Sequence, residues 1–464
     1  MKGTLIIPIE NQVRELDPKL LLACIAVRQG FSVIIGSRQE IDFHIASFPP
    51  SLYLAKSMTA RSVKMFRIMR QLGHAIAVWD EEALIHPPAE TYFTRRLSPA
   101  AISQVSHLFA WGEDNSHLWR QYPHLPAGLP IHVTGNPRGD MLRPDMQPFF
   151  AAEVRQRRQE HGDFILINTN FSFVNAFYPE LNLFQSAENP GQLPAYGRAA
   201  VGMERHFAEN LRDHKQAVFA DFQRLIPALE REFPQLTIIV RPHPIENPRV
   251  YHDLAARCSR VVVTNEGNVI PWLLAAKAVI HNGCTTGVEA YIMGVPALSY
   301  QATVNEELDY GFYRLPNLLS HQCFDFASLR ETIAKILAGD LGAAGGDERR
   351  KLMAGYLTSQ DGPLASERIV SVAEEIFAAS DCWPTSTLPE RLAGRFQASR
   401  RRLAKYLKSF QLQSKYRPEF QRYRYPGLSP AALEERLERL RQVLGQPAVL
   451  RTRQLTTHIF RITS

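Results

Sequence analysis

The sequence predicts an α/β protein of two doubly wound halves, closed by a basic, helical C-terminal tail. Three observations carry this. Short apolar runs alternate with longer amphipathic ones as far as about residue 300, the β-α-β order of an open parallel sheet. The alternation breaks and restarts near residues 137–160, where PRGDMLRPDMQPFF carries three prolines ahead of a charged run. A chain of 464 residues also exceeds what one core supports.

The elements follow in order. GTLIIPI reads as the first strand, ELDPKLLLACIAVRQG as the first helix and FSVIIGS as the second strand; a helix near 56–72 and the strand HAIAVWD follow, then the short strands SHLFAWG and IHVTGNP. The second half repeats the theme with DFILINTNF, a long helix over about 199–233, LTIIVRPHP, RVVVTNE, a short helix around PWLLAA, KAVIHNG, a helix at 286–293 and VPALSY. The expected domains are 1–145, 146–384 and a tail over 385–464.

Composition narrows the class. A hydrophobic share of 45% with 10% aromatics suits a soluble globular protein. No apolar run approaches the ~20 residues of a membrane-spanning helix, and MKGTLIIPIE lacks the pattern of a signal peptide. Cys24, Cys258, Cys284, Cys323 and Cys382 are odd in number and scattered, which predicts neither disulfides nor a zinc site, and a reducing cytoplasm as the compartment. The charge is segregated: residues 391–430 hold eleven Lys or Arg and one acid, a net of +10, so a whole-chain +7 leaves −3 for the rest. Segregated charge points away from nucleic acid. In the tail Phe396, Leu403, Tyr406, Leu407 and Phe410 interleave with the cations. That pattern suits either peripheral contact with an anionic inner-membrane surface or a helix packed on the body by its apolar stripe.

Ligands of open α/β sheets bind at the carboxyl ends of the strands, and two such sheets facing each other would enclose a cleft. The strand tips are ENQVRELD (10–17), WDEEAL (79–84), NTNFSF (168–173, with Asn170), RPHP (241–244), TNEGN (264–268) and HNGCTTG (281–287). In the last, Asn282, Gly283 and Gly287 would let the backbone approach a ligand, and Thr285 and Thr286 would open a helix whose amides attract an anion; a plain N-cap at Thr285 explains the same residues. In RPHP the prolines hold Arg241 and His243 at the rim, a cation and a proton donor fit for a departing phosphate. Glu266 and Asn268 are candidates for nucleoside contacts. Glu15 and Asp17, beside Asn11 and Arg14, are rivals to Glu81 and Glu82 as the reacting carboxylate, or simply acids in a first helical turn. No D-x-D motif is present, so no metal is expected.

RPHP followed about forty residues on by CTTG resembles the HP and serine/threonine motifs of bacterial sialyltransferases and Kdo transferases, which have the GT-B fold of two Rossmann-like domains. WDEEAL supplies Glu81 and Glu82 where that family has an acidic pair, with Ala83 in place of its glycine. From IENQVRELDPKLLLA through VTGNPRGD to NGCTTGVEAYIMGVPALSY, roughly residues 1–380, the chain further resembles bacterial surface-carbohydrate biosynthesis proteins. The resemblance implies a metal-independent glycosyltransferase with an acceptor-side first domain and a donor-side second domain. It implies a nucleotide sugar, CMP-linked and of Kdo or sialic type, as donor and a glycan or lipid-linked acceptor. In such an enzyme Glu81 or Glu82 would act at the acceptor, His243 as the acid toward the phosphate, and Thr285 and Thr286 as the anion clamp. UDP- or GDP-sugar transfer, polyol-phosphate transfer, epimerisation and a non-catalytic scaffold are the alternatives.

Overall fold

The structure is a computed structural model that describes residues 2–185, 194–379, 383–411, 414, 416–445 and 449–464, the side chains of 310–313 aside. Its strands are β1 (Thr4–Ile9), β2 (Ser32–Ser37), β3 (Leu52–Ala55), β4 (Ala75–Val78), β5 (His107–Ala110), β6 (Ile131–Val133), β7 (Phe164–Asn168), β8 (Thr237–Arg241), β9 (Val261–Val263), β10 (Ala278–His281), β11 (Ala297–Tyr300), β12 (His321–Cys323), β13 (Arg451–Thr456) and β14 (Ile459–Thr463). Within the described residues they form an eight-stranded sheet, β13-β14-β2-β1-β3-β4-β5-β6, and a six-stranded sheet, β12-β11-β10-β7-β8-β9.

The first sheet belongs to a compact unit of residues 1–149 and 351–464, the second to a unit of residues 150–350. Residues 351–384, expected with the second half, and 385–464, expected as a separate tail, are thus both part of the first unit. Runs such as TLIIPI, SVIIGS and FILIN are continuous apolar stretches because parallel sheets are covered on both faces. Nearly every residue of these strands is buried.

In each sheet the chain moves outward on one side, then resumes on the other side of its first strand. Sheet one reverses between β1 and β3, and sheet two between β7 and β10. At such a switch point the connections diverge and leave a crevice at the carboxyl ends. β1 and β3 therefore aim residues 10–17 and 56–57 at one crevice; β7 and β10 aim residues 169–170 and 282–287 at the other.

The C-terminal segment is not an all-helical tail. β14 runs antiparallel to β2, pairing Ile459 with Gly36 and Ile462 with Val33, and β13 folds back on it as a hairpin. A Cβ on Gly36 would lie 2.0 Å from the carbonyl oxygen of His458, so the close approach of this strand needs glycine there. Helix Pro430–Val443 buries Leu433, Leu437 and Leu440 beside the first helix, Gln12–Arg28. Helix Leu388–Ser409 packs on helix Val63–Gln71. The hairpin lies beyond the basic stretch, and its sequence signal is weak: β-branched and apolar residues cluster at HIFRIT, while RTRQLT is polar except for Leu455.

Ile459, Phe460 and Ile462 are buried completely or nearly so, which makes the last strand part of the core. Phe460→Ala is expected to lower unfolding free energy by about 3–5 kcal/mol, read from urea unfolding of the full chain; a change near zero would mean that the hairpin is peripheral.

Candidate functional site

In the first unit the rim is a chain of alternating charges. Glu15, in the first turn of helix Gln12–Arg28, is fully buried and accepts from the amides of Glu10 (3.0 Å) and Asn11 (3.2 Å). Lys19, one turn on, reaches Glu15 at 2.7 Å, Glu81 at 3.2 Å and the carbonyl of Pro8 at 2.8 Å. Lys56, just past β3, spans Glu15 at 3.5 Å and Glu10 at 3.0 Å. Glu10 also binds Arg38 (2.7 Å) and Arg424. Asp80 is taken by Arg96 and by the hydroxyl of Tyr92, and Arg14 pairs with Glu82 at 2.5 Å.

This geometry sorts the acids. Burial would push the Glu15 carboxyl up, but the Lys19 and Lys56 ammoniums outweigh it and hold it well below the carboxylate range. It is a poor proton acceptor and a good anchor for Lys19. Glu81 is buried, with Oε1 shared by Lys19 and the Trp79 indole (2.9 Å) and with Oε2 unpartnered among the described residues. Glu82 has a half-exposed side chain, the most accessible of the three; burial raises its carboxyl, but the Arg14, Arg138 and Arg96 guanidiniums bring it below the ordinary range. Asp17 pairs with Arg436 at 3.3 Å. Glu10, Lys19 and Lys56 escape a motif search; the signal for Lys19 is a lone cation in the apolar run PKLLLACIAV, four residues after Glu15.

In the second unit the turn that follows β10 is built from neutral groups. Gly283 has φ +81°, a left-handed turn that glycine adopts without strain, and its amide donates to Nδ1 of His281 at 3.0 Å. His281 Nε2 then donates to Ser320 Oγ at 2.8 Å, since the serine proton is given to Pro316 O. Burial pushes this imidazole down to about 3, so it stays neutral. Gly287 is required by the same ring: a Cβ there would lie 2.4 Å from His281 Nε2. Its role is packing, not close approach to a ligand.

Helix Thr285–Ile292 starts at Thr285, and its N-cap is Cys284, which places no side-chain bond on the first-turn amides. Thr285 is therefore not the cap. Around this helix start three buried polar atoms have no partner among the described residues: Asn168 Nδ2, Asn282 Oδ1 and Thr286 Oγ1. Asn168 ends β7 directly across from His281 at the end of β10, and Asn170, half-buried, lies two residues beyond. The Gly287 amide is bonded to Cys284 O at 3.0 Å and the Cys284 thiol lies against Thr285 and Thr286, so the amide of Asn168 is the buried donor left without a partner among the described residues here.

RPHP sits one strand over. The Arg241 guanidinium donates to the carbonyls of Glu266 (2.8 Å) and Gly267 (3.1 Å) and lies over Trp272. Burial and the neighbouring Arg157 guanidinium lower it to about 10. It pins the 264–268 loop, and its η nitrogens are not free to grip a phosphate as the sequence suggests. Glu266 pairs with Arg157 at 2.9 Å, and Asn268 caps helix Val269–Ala275; both have structural work. His243 is half-buried, and its Nδ1 accepts from the amide of Ile245 at 3.3 Å. In the neutral ring Nε2 then carries the proton. The turn is held by Glu246, which sequence reading missed: it accepts from His243 N (3.0 Å), Thr169 Oγ1 (2.9 Å) and Tyr251 Oη (2.5 Å).

No family model matches this sequence. No curated protein is significantly similar to it either. Among solved structures, the wall teichoic acid polymerase TagF is 10% identical with a TM-score of 0.49, covering 81% of this chain and 89% of that one. The UDP-GlcNAc 2-epimerase of Neisseria meningitidis is 12% identical with a TM-score of 0.44, covering 81% and 100%. That of Methanocaldococcus jannaschii is 13% identical with a TM-score of 0.43, covering 80% and 99%. At these values none of the three bears on what this chain binds or does.

Glu15, Glu81 and Glu82 thus share the rim of the first unit, and the remaining sequence candidates share the rim of the second. Among the described residues no three His, Cys, Asp or Glu are grouped to hold a metal ion, and no helix is long and apolar enough to cross a membrane. Cys24, Cys258, Cys284 and Cys323 are free thiols; Cys382 lies outside the described residues.

Two outcomes follow. Gly287→Ala forces the His281 ring to move and should cost about 1–3 kcal/mol, measured by thermal or urea unfolding; an unchanged melt would show that the ring can yield. For Glu10, burial raises the carboxyl but Lys56, Arg38 and Arg424 bring it down from 4.5 to about 2. A carboxyl lowered on folding stabilises at pH above its unfolded value and loses that stabilisation as pH falls toward the folded one. Between about pH 4.5 and 2 the protein should lose on the order of 2–3 kcal/mol from this group, and Glu10→Gln should flatten that part of the acid-unfolding profile. An identical profile in the variant would assign the acid sensitivity elsewhere.

Proposed function

We propose that the chain is a glycosyltransferase of GT-B type that moves a sugar from a nucleotide-activated donor to a hydroxyl acceptor in bacterial surface-carbohydrate assembly. The observation that supports the reading is a set of buried polar atoms at the switch point of the second unit's parallel sheet, the donor Asn168 Nδ2, the acceptor Asn282 Oδ1 and the hydroxyl Thr286 Oγ1, which have no partner among the described residues beside the start of helix Thr285–Ile292. Leaving such atoms buried and unbonded costs about 1–3 kcal/mol each, and a donor phosphate with its adjoining hydroxyls is a ligand that would satisfy them. The resemblance at RPHP and CTTG supports the same reading, and a CMP-linked ulosonic acid of Kdo or sialic type is the donor we put first, since its own carboxylate is a second anion.

The reaction breaks the bond from the anomeric carbon to the phosphate oxygen and forms one to the acceptor oxygen. The departing phosphate gains charge, which the first-turn amides and hydroxyls of helix Thr285–Ile292 would stabilise, with Nε2–H of His243 as proton donor. In the first unit Glu82, the most exposed of the three acids, is the candidate to take the acceptor's proton, and Glu15 and Glu81 hold Lys19 in place. Arg241 is a positioning residue in this scheme, acting through the 264–268 loop.

The first test is a thermal-shift panel of CMP, CDP, UDP and GDP with the full chain. Stabilisation by CMP supports the ulosonic donor, by another nucleotide the general reading with a different donor, and by none of them a non-catalytic scaffold, which overturns the proposal. With the donor in hand, His243→Ala and Glu82→Gln should each lower turnover at least ~10²-fold without changing the melt; full activity in either removes that residue from the chemistry.

A further inference from the structure

Helix Leu388–Ser409 has two opposite faces, and only one is used by the fold. On the inner face Gly394, Ala398, Arg401 and Lys405 recur at helical spacing toward helices Val63–Gln71 and Arg38–His44. A Cβ on Gly394 would lie 3.0 Å from that of Gln71, and Ala398 is buried in the core of the first unit. Arg401 reaches Asp42 at 3.3 Å, and Lys405 lies over the rings of Phe43 and Tyr416. Docking is complete without a single large apolar side chain of the helix.

Those side chains point the other way. At 100° per residue Leu392, Phe396, Leu403, Tyr406, Leu407 and Phe410 form one stripe opposite Gly394 and Ala398, and they are 57–70% exposed. Arg395 and Arg402 border the stripe on one side and Arg400 on the other; with Arg391 and Lys408 they are exposed cations that no acid engages among the described residues. Glu390, the helix's one acid, is taken up in its N-terminal cap with Thr387.

We propose that this face docks on an anionic lipid surface, the helix lying in the plane of the headgroups with its aromatic and leucine side chains at the acyl boundary and its arginines on the phosphates. The charge pattern decides the occupant. A second copy of the chain would set five cations against five, whereas an acidic leaflet complements both the apolar stripe and its cationic borders. The inference is independent of the transferase reading, because none of these residues belongs to either rim.

The test uses the full chain, since the segment carries part of the core and cannot be cut away. Co-sedimentation is measured with phosphatidylglycerol-containing and pure phosphatidylcholine vesicles, at low and high salt. Binding should be confined to the anionic vesicles and weaken at least ~10-fold at high salt. Phe396→Ser with Leu403→Ser, and separately Arg395→Glu with Arg402→Glu, should each weaken it by a similar factor with an unchanged melt. As a second readout, Phe410→Trp fluorescence should shift to the blue on anionic vesicles. A full chain that ignores anionic vesicles at low salt, or variants that bind as well as the parent, overturns the proposal. Loss of self-association in the apolar variant with vesicle binding intact would assign the face to a second copy and overturn it equally.

Discussion

The first unit depends on one constraint: Glu15 has no access to water and must be neutralised from within. Removing a carboxylate from water is tolerable only if its lone pairs and its charge are both met. Two backbone amides meet the lone pairs, and Lys19 and Lys56 meet the charge. Lys19 is itself buried, and its remaining charge is met by Glu81. Glu10 answers Lys56 and then requires Arg38 and Arg424. The requirement passes outward along the rim until it reaches residues that touch solvent. The ends of β1, β3 and β4, the start of the first helix and a residue more than four hundred positions later are thereby fixed together. A single change inside this chain would leave an uncompensated buried charge, typically a loss of 3–5 kcal/mol.

The second unit faces the same geometry with the opposite chemistry. Its switch point carries amides, hydroxyls and the positive end of a helix, with the buried Glu289 one turn on. Neutral donors around a helix start attract an anion without being saturated by one of the protein's own carboxylates. His281, kept neutral by burial, holds the Gly283 turn without adding charge to the site. The two units thus differ in kind: the first meets its buried charges with ion pairs, and the second keeps buried amides and hydroxyls without a partner among the described residues.

How far this is legible in the sequence follows from which signals are local. The long strands announce themselves because TLIIPI, SVIIGS and FILIN are buried on both faces, and their polar tips mark the rims directly. β3 and β12 are short, and their neighbours carry the hydrophobic signal, so they pass unread. The hairpin β13–β14 carries no clean alternation, and the partner of β14, β2, lies more than four hundred residues away, a pairing that no local pattern encodes. At the rims, sequence finds Glu15, Glu81, Glu82 and His243 as chemically capable residues but cannot say which are already spent. Arg241, Glu266 and Asn268 look free in the sequence; in the fold Arg241 and Asn268 are bonded to the backbone of the 266–270 segment and Glu266 is paired with Arg157. Glu246 is invisible for the opposite reason, its importance lying wholly in what it holds, and Lys19 shows only as a lone cation in an apolar run.

The orientation of helix Leu388–Ser409 shows the same logic on the surface. Had this helix evolved only to cover the first unit, the cheapest arrangement would turn Phe396, Leu403 and Leu407 inward, where each would contribute about 1.5–3 kcal/mol of burial. Instead the inward positions are Gly394 and Ala398, which permit close approach but bury little, and ion pairs to Asp42 supply the remaining hold. The fold thus forgoes burial that its own sequence offers, along a stripe edged by unpaired arginines. Such a stripe is costly in water and self-repelling between copies. It becomes favourable where apolar depth and negative charge occur together, which is the setting that the proposed docking on an anionic lipid surface would supply.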